Sequence, residues 1–110
     1  MEITTRDYHN ANIIRVTGRV DAGTYVELEN RIKEYLDGGH KHLVLEMDGT
    51  EYLSSAGVRV LISTQKALKP RGGRLVISQP SDRVKDVLKL AGVDVLFPTY
   101  DTTVAAVATE

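Results

Sequence analysis

The sequence contains no cysteine and no tryptophan, one phenylalanine and three prolines. Without cysteine there is no disulfide, no thiolate zinc site and no cysteine nucleophile. With one Phe and no Trp, the core has to be aliphatic. No apolar run approaches the roughly 20 residues that span a bilayer. The start, MEITTRDYHN, has neither the apolar stretch of a signal peptide nor an amphipathic Arg-rich presequence. The expectation is a cytoplasmic protein with no membrane insertion. An excess of one charge is also missing: 14 Lys and Arg face 15 Asp and Glu, for a net charge of −1. Binding to nucleic acid needs clustered cations that displace counterions from phosphates. Lys66, Lys69, Arg71 and Arg74 make only a modest basic patch around a turn, so no nucleic-acid partner is expected.

What is present fits one domain over residues 1–110. The chain is 42% hydrophobic and 26% charged, ordinary for a globular protein, and long enough to bury roughly two-thirds of the surface its unfolded form exposes. Residues 2–8 and 11–18 read as a hairpin. Ile14 and Val16 alternate with Arg15 and Thr17, His9-Asn10 supplies the turn, and Gly18 ends the second strand. Thr24 with Glu27 fits a capping box ahead of a helix bearing Tyr25, Leu28, Ile32, Tyr35 and Leu36, stopped by Gly38-Gly39. "HLVLEM" at 42–47 is a short apolar run of the kind covered on both faces.

The loop "DGTEY" then leads into a helix marked by Val58, Leu61, Ile62, Gln65 and Leu68 and stopped near Pro70. "RLVIS" at 74–78 is a strand. Ser81 caps a third helix with Val84, Val87, Leu88 and Ala91 on its apolar face and Gly92 behind it. A short strand at 94–97 follows. Asp101 caps a last helix containing Val104, Val107 and Ala108. The order ββαβαβαβα implies an α/β fold, with a mixed, mostly parallel sheet, an N-terminal β-hairpin and four helices.

Few residues carry obvious chemistry. Asp37, His40 and His42 lie close in sequence, but they sit at a helix-to-strand turn and fall short of the ligand set of an ordinary zinc site. There is no Walker loop and no G-x-G-x-x-G after the first strand. No cofactor is expected. Asp21, Asp48 and Glu51 are the carboxylates expected near Ser54 and Ser55, yet no histidine is placed to activate a serine, which argues against a hydrolase and against an enzyme generally.

The serine doublet in "DGTEYLSSAGVRVLIS" is the informative feature. One of the two serves as helix N-cap. The doublet follows the strand at 42–47, at the carboxyl edge of a parallel sheet where ligand and partner chemistry gathers, and Gly18–Thr24 with Asp21 reaches the same edge. Ala56 and Gly57 are small. Gly57 costs helix propensity, which suggests that something approaches the backbone there. A serine so placed is open to a kinase. Phosphate on it adds up to about two negative charges, favoured by the helix dipole and opposed by Asp21 and Glu51.

"GRVDAGT" at 18–24 and "DGTEYLSSAGVRVLI" at 48–62 resemble the two signature regions of STAS domains, in particular the bacterial anti-sigma factor antagonists. The resemblance extends through "VLKLAGVDVLFPTYDTTVAAV" and spans essentially the whole chain. It implies a partner-switching protein. The unphosphorylated antagonist binds a serine-kinase anti-sigma factor, the kinase inactivates it by phosphorylating one serine, and a metal-dependent PP2C-type phosphatase reverses this. The family pattern, Asp-Ser-Ser/Thr/Ala-Gly-Leu, carries phosphate on the serine directly after the Asp. Aligned on Gly57, that position is Ser55, with Ser54 as second choice because it stands where the Asp usually is. Asp21 matches the acidic residue of the first signature.

The expected partner surface is therefore Asp21, Thr24, Glu51, Ser54, Ser55, Ala56 and Gly57, continuing along the helix through Arg59, Ser63 and Lys66. The expected state is a monomer or weak homodimer. STAS domains also serve as interaction subunits that are not phosphorylated, as in lipid-transport ABC complexes, or as ligand-sensing modules.

Overall fold

The computed structural model describes residues 1–108. The strands are β1 (Glu2–Tyr8), β2 (Ala11–Val20), β3 (His42–Glu46), β4 (Thr50–Leu53), β5 (Arg74–Ser78) and β6 (Thr99–Tyr100). The helices are α1 (Tyr25–Asp37), α2 (Ser55–Leu68), α3 (Asp82–Leu90) and α4 (Thr103–Ala108). Short 3-10 turns occupy Lys69–Arg71 and Asp94–Leu96. The sheet runs β1-β2-β3-β5-β6; β1 is antiparallel to β2 and every other pairing is parallel.

The period-2 alternation divides the strand residues between two cores. Ile14, Val16, Leu43, Leu45, Leu75 and Ile77 face α1, α2 and α3 and form the larger core with Leu28, Ile32, Leu61 and Val84. Ala11, Ile13, Val44 and Val76 point the other way, where α4 covers them with Ala106 and Val107. At about 25 cal/mol per Å², aliphatic burial on this scale dominates the stabilisation of the fold.

Several expectations change. Residues 50–53, read as loop, form β4. It pairs with the end of β2 rather than with β3. Gly18 does not end β2. It takes a φ of +95°, a value only glycine adopts easily, and is the first β2 residue paired with β4, after the pairing with β3 has stopped at Arg15; the β2–β4 register shifts between Gly18 and Arg19. The strand expected at 94–97 is the 3-10 turn, and the last strand comes later, at Thr99–Tyr100.

Ala91 is exposed and does not join the buried face of α3, although Ser81 caps that helix as expected by accepting from the Val84 amide at 3.2 Å. Thr102, not Asp101, caps α4, through the Ala105 amide at 3.1 Å. Thr24 stands at the N-cap position of α1 without capping it. Its hydroxyl accepts from the Asp21 amide at 2.9 Å and donates to the Arg19 carbonyl at 2.8 Å, which ties it to the preceding loop.

Candidate functional site

The parallel pairing of β2 with β4 sets Val20 opposite Leu53. The next residues, Asp21 and Ser54, therefore leave the sheet side by side, and the Ser54 amide donates to the Val20 carbonyl at 2.8 Å. The register of two short strands is what joins the two sequence segments.

At the start of α2 the two serines differ. Ser54 has extended backbone, and its hydroxyl accepts from the Gly57 amide at 3.2 Å. It is the N-cap. Ser55 is the first residue of the helix, is exposed, and its hydroxyl has no hydrogen-bond partner among the described residues. A group attached to that hydroxyl meets solvent on one side and the positive end of α2 on the other.

Gly57 does not open the backbone to a partner. It is buried, and a Cβ there would lie 2.7 Å from Leu53 Cδ1 and 2.8 Å from Val20 Cγ1. The missing side chain lets α2 seat against β2 and β4. Gly57 is therefore removed from the candidate contacts, and its task is to hold the serines at the sheet edge.

The Asp21 carboxylate is held locally. Its Oδ1 accepts from the Gly23 amide at 3.0 Å and lies 3.1 Å from the Thr24 hydroxyl; Arg19 Nε is 3.7 Å from Oδ2. The Gly23 amide, backed by Thr24 and Arg19, keeps its pKa below the ordinary carboxylate range. Arg19 also lies over the Tyr52 ring, 4.4 Å from the centroid. Arg19 and Tyr52 thus belong to the site although sequence reasoning passed over them. They are opposed in the β2–β4 register, and that register was the missing signal.

Glu51 is exposed on β4. Ala56 is half-buried, while Arg59, Ser63 and Lys66 are exposed along α2. At 1.5 Å per residue, Arg59 lies about 6 Å along the axis from Ser55, and Lys66 about 16 Å. Arg59 borders a groove toward α3, whereas Ser63 borders one toward α1. The structure therefore gathers Asp21, Thr24, Ser54, Ser55 and Arg59 and leaves Ser63 and Lys66 as distant extensions. Among the described residues, no three His, Cys, Asp or Glu side chains are arranged to hold a metal ion, and no helix is long and apolar enough to cross a membrane.

A second polar cluster lies on the α4 face. Glu46 is buried at 4% exposure, and Arg6 donates to both of its oxygens at 3.0 and 2.8 Å. Arg15 reaches Glu46 at 3.2 Å and Asp48 at 2.6 Å. The Thr103 hydroxyl donates to Glu46 as well, and the Ser78 hydroxyl joins Thr103 at 2.9 Å. Hydrogen bonding from Arg6 above all, with Thr103 and Arg15 behind it, draws the Glu46 pKa down to about 2. Each partner is internal, so this cluster fastens α4 and β1 to the sheet and leaves nothing poised for chemistry.

The chain belongs to the STAS domain family, whose model matches residues 2–106. The Bordetella bronchiseptica protein BtrV, which carries the name of an anti-sigma factor antagonist, is 29% identical over 108 residues, 98% of this chain and 93% of that protein. The anti-sigma F factor antagonist of Paenibacillus polymyxa is 22% identical over 107 residues, 96% and 92% of the two chains. Among solved structures, the anti-sigma factor antagonist SpoIIAA in its unphosphorylated form superposes with a TM-score of 0.84 at 17% identity, covering 98% of this chain and 95% of that one. The phosphorylated form of Bacillus SpoIIAA gives 0.77 at 16% identity, covering 98% of each. At such identities the superpositions establish the fold, a single α/β domain with an N-terminal hairpin and four helices.

Proposed function

We propose that this chain is an anti-sigma factor antagonist that works by partner switching. Unphosphorylated, it binds a serine-kinase anti-sigma factor; phosphorylation of Ser55 breaks the complex, and a PP2C-type phosphatase restores it. The protein is a regulatory binding protein of the cytoplasm and not a catalyst. The observation that carries this reading is the inequality of the serines: Ser54 is consumed as a cap, and Ser55 is exposed with its hydroxyl unengaged. The names of the relatives support it, as does the existence of SpoIIAA in both phosphorylation states.

A dianion at Ser55 is tolerated by the helix end but has to be desolvated by any partner seated there, beside the carboxylate of Asp21. The partner surface on this reading is Asp21, Thr24, Glu51, Ser54, Ser55, Ala56 and Arg59, extending to Ser63 and Lys66. Incubation with the serine kinase and ATP, followed by mass spectrometry, should place one phosphate on Ser55 and none on the Ser55→Ala variant. Phosphate on Ser54 instead, or on neither serine, sinks the reading. Ser55→Asp should weaken binding to the anti-sigma factor by at least about tenfold, roughly 1.4 kcal/mol; a constitutive interaction subunit would show no change.

A further inference from the structure

The two edges of the sheet are built differently. At one edge β6 is two residues long, too short to template another strand. At the other, β1 runs for seven residues, Glu2–Tyr8, and among the described residues it pairs with β2 alone. Its register on β2 is continuous, from Glu2 opposite Thr17 to Tyr8 opposite Ala11, with no bulge to twist the edge away. The strand contains no proline and no lysine, the residues that commonly blunt an exposed edge, and its centre, Ile3-Thr4-Thr5, is uncharged and β-branched. Alternate N–H and C=O groups of β1 therefore face outward with no strand to meet.

The side chains select the strand that fits there. Antiparallel pairing of two copies of β1 about a two-fold axis through Thr4 sets Thr4 opposite Thr4, Ile3 opposite Thr5 and Glu2 opposite Arg6, each pair repeated by the symmetry. Glu2 is exposed and forms no ion pair among the described residues. Arg6 spends two N–H groups on Glu46, yet 53% of its side chain stays exposed and further donors remain on the guanidinium. The neighbouring registers fit worse. An axis through Glu2, Arg6 or Asp7 opposes like charges. An axis through Thr5 sets Ile3 against Asp7, and one through Ile3 leaves Arg6 with no residue of β1 opposite it.

We propose that the β1 edge joins a second copy of this chain, giving one sheet continuous across the two-fold axis. On one face the Glu2–Arg6 pairs flank Thr4. On the other, Ile3 of each copy, half-buried against the larger core, is covered further by Thr5 of the other copy. Strand β1 supplies none of the residues gathered around Asp21 and Ser55, so the inference does not depend on the partner-switching reading. A contact of one short strand lies at the small end of interface sizes, and the dimer forms weakly, with a Kd on the order of 10–100 μM.

Sedimentation velocity across a concentration series tests it, and wild type should pass from monomer to dimer over that range. Thr4 is exposed, so its substitution spares the core. Thr4→Lys sets two cations against each other on the axis, and Thr4→Glu sets two carboxylates; each alone should weaken self-association at least about tenfold. Mixed in equal amounts, the two variants should restore it, because Lys then faces Glu. Lys85→Glu, a change of charge on α3, should stay within about twofold of wild type. Unchanged thermal melts confirm that the variants fold.

A wild type that stays monomeric up to millimolar concentration overturns the proposal; the edge is then left to an extended segment of another protein, or to none. A dimer left intact by both Thr4→Lys and Thr4→Glu uses another surface and overturns it as well. Loss of the dimer in each variant without recovery in the mixture overturns the register through Thr4, and the proposal with it. None of these results bears on the phosphorylation of Ser55.

Discussion

The carboxylate cluster at Glu46 and the serine doublet at the start of α2 are both polar sites at the ends of sheet strands, and they are built to opposite rules. At Glu46 a buried charge meets Arg6, Arg15 and Thr103, so its desolvation is offset by several charge-assisted hydrogen bonds. At Ser55 a hydroxyl is left exposed and unpartnered while its neighbour, Ser54, closes the helix end. The first arrangement contributes stability and leaves no group available for modification. The second contributes little stability and leaves one group available for modification. Keeping them apart means that the phosphate proposed for Ser55 would add charge without loosening the fold.

That comparison can be broken by substitution. The largest expected effect comes from the residue seating the doublet. Gly57→Val should destabilise the domain by about 3 kcal/mol, because the new side chain meets Leu53 and Val20; denaturant titration reads it directly. A loss below about 1 kcal/mol would mean that α2 shifts freely on the sheet.

Next is Glu46. Its pKa falls from an ordinary 4.5 to about 2 on folding. A lowered carboxyl pKa contributes stability above the unfolded value and loses it as pH drops through the folded one. Stability should therefore decline by on the order of 3 kcal/mol between about pH 4.5 and 2. Glu46→Gln should cost about 2 kcal/mol at neutral pH and flatten that acid limb. An unchanged limb would place the acid sensitivity elsewhere.

The serines give the smallest and most diagnostic pair. Ser54→Ala should cost about 1 kcal/mol through the lost cap. Ser55→Ala should stay within about 0.5 kcal/mol in the same denaturation experiment. Equal costs would erase the distinction on which Ser55 is proposed as the phosphoacceptor.

The elements legible in the sequence are those whose own residues carry the signal. The hairpin, the apolar strands β3 and β5, and helices α1 to α3 follow from alternation or helical spacing, and Ser81 follows from cap chemistry. Strand β4 was hidden because Thr50–Leu53 is four residues long and shows no clear alternation. Strand β6 is two residues long and exists only because β5 lies beside it. Thr24 looked like a cap because its spacing to Glu27 is right, but the Asp21 turn claimed its hydroxyl first. These outcomes depend on neighbours distant in the chain, which local propensity does not encode.

By itself the sequence determined the α/β class, the aliphatic core and the presence of two serines at a helix start, since all three follow from composition and period. The tertiary structure decided which serine is free, that Gly57 faces inward, and that Arg19, Tyr52 and Asp21 form one cluster. Each of these turns on the β2–β4 register or on how α2 and α3 pack against the sheet, and a hydroxyl's partner is set by which atoms arrive within 3 Å of it, not by its position in the chain.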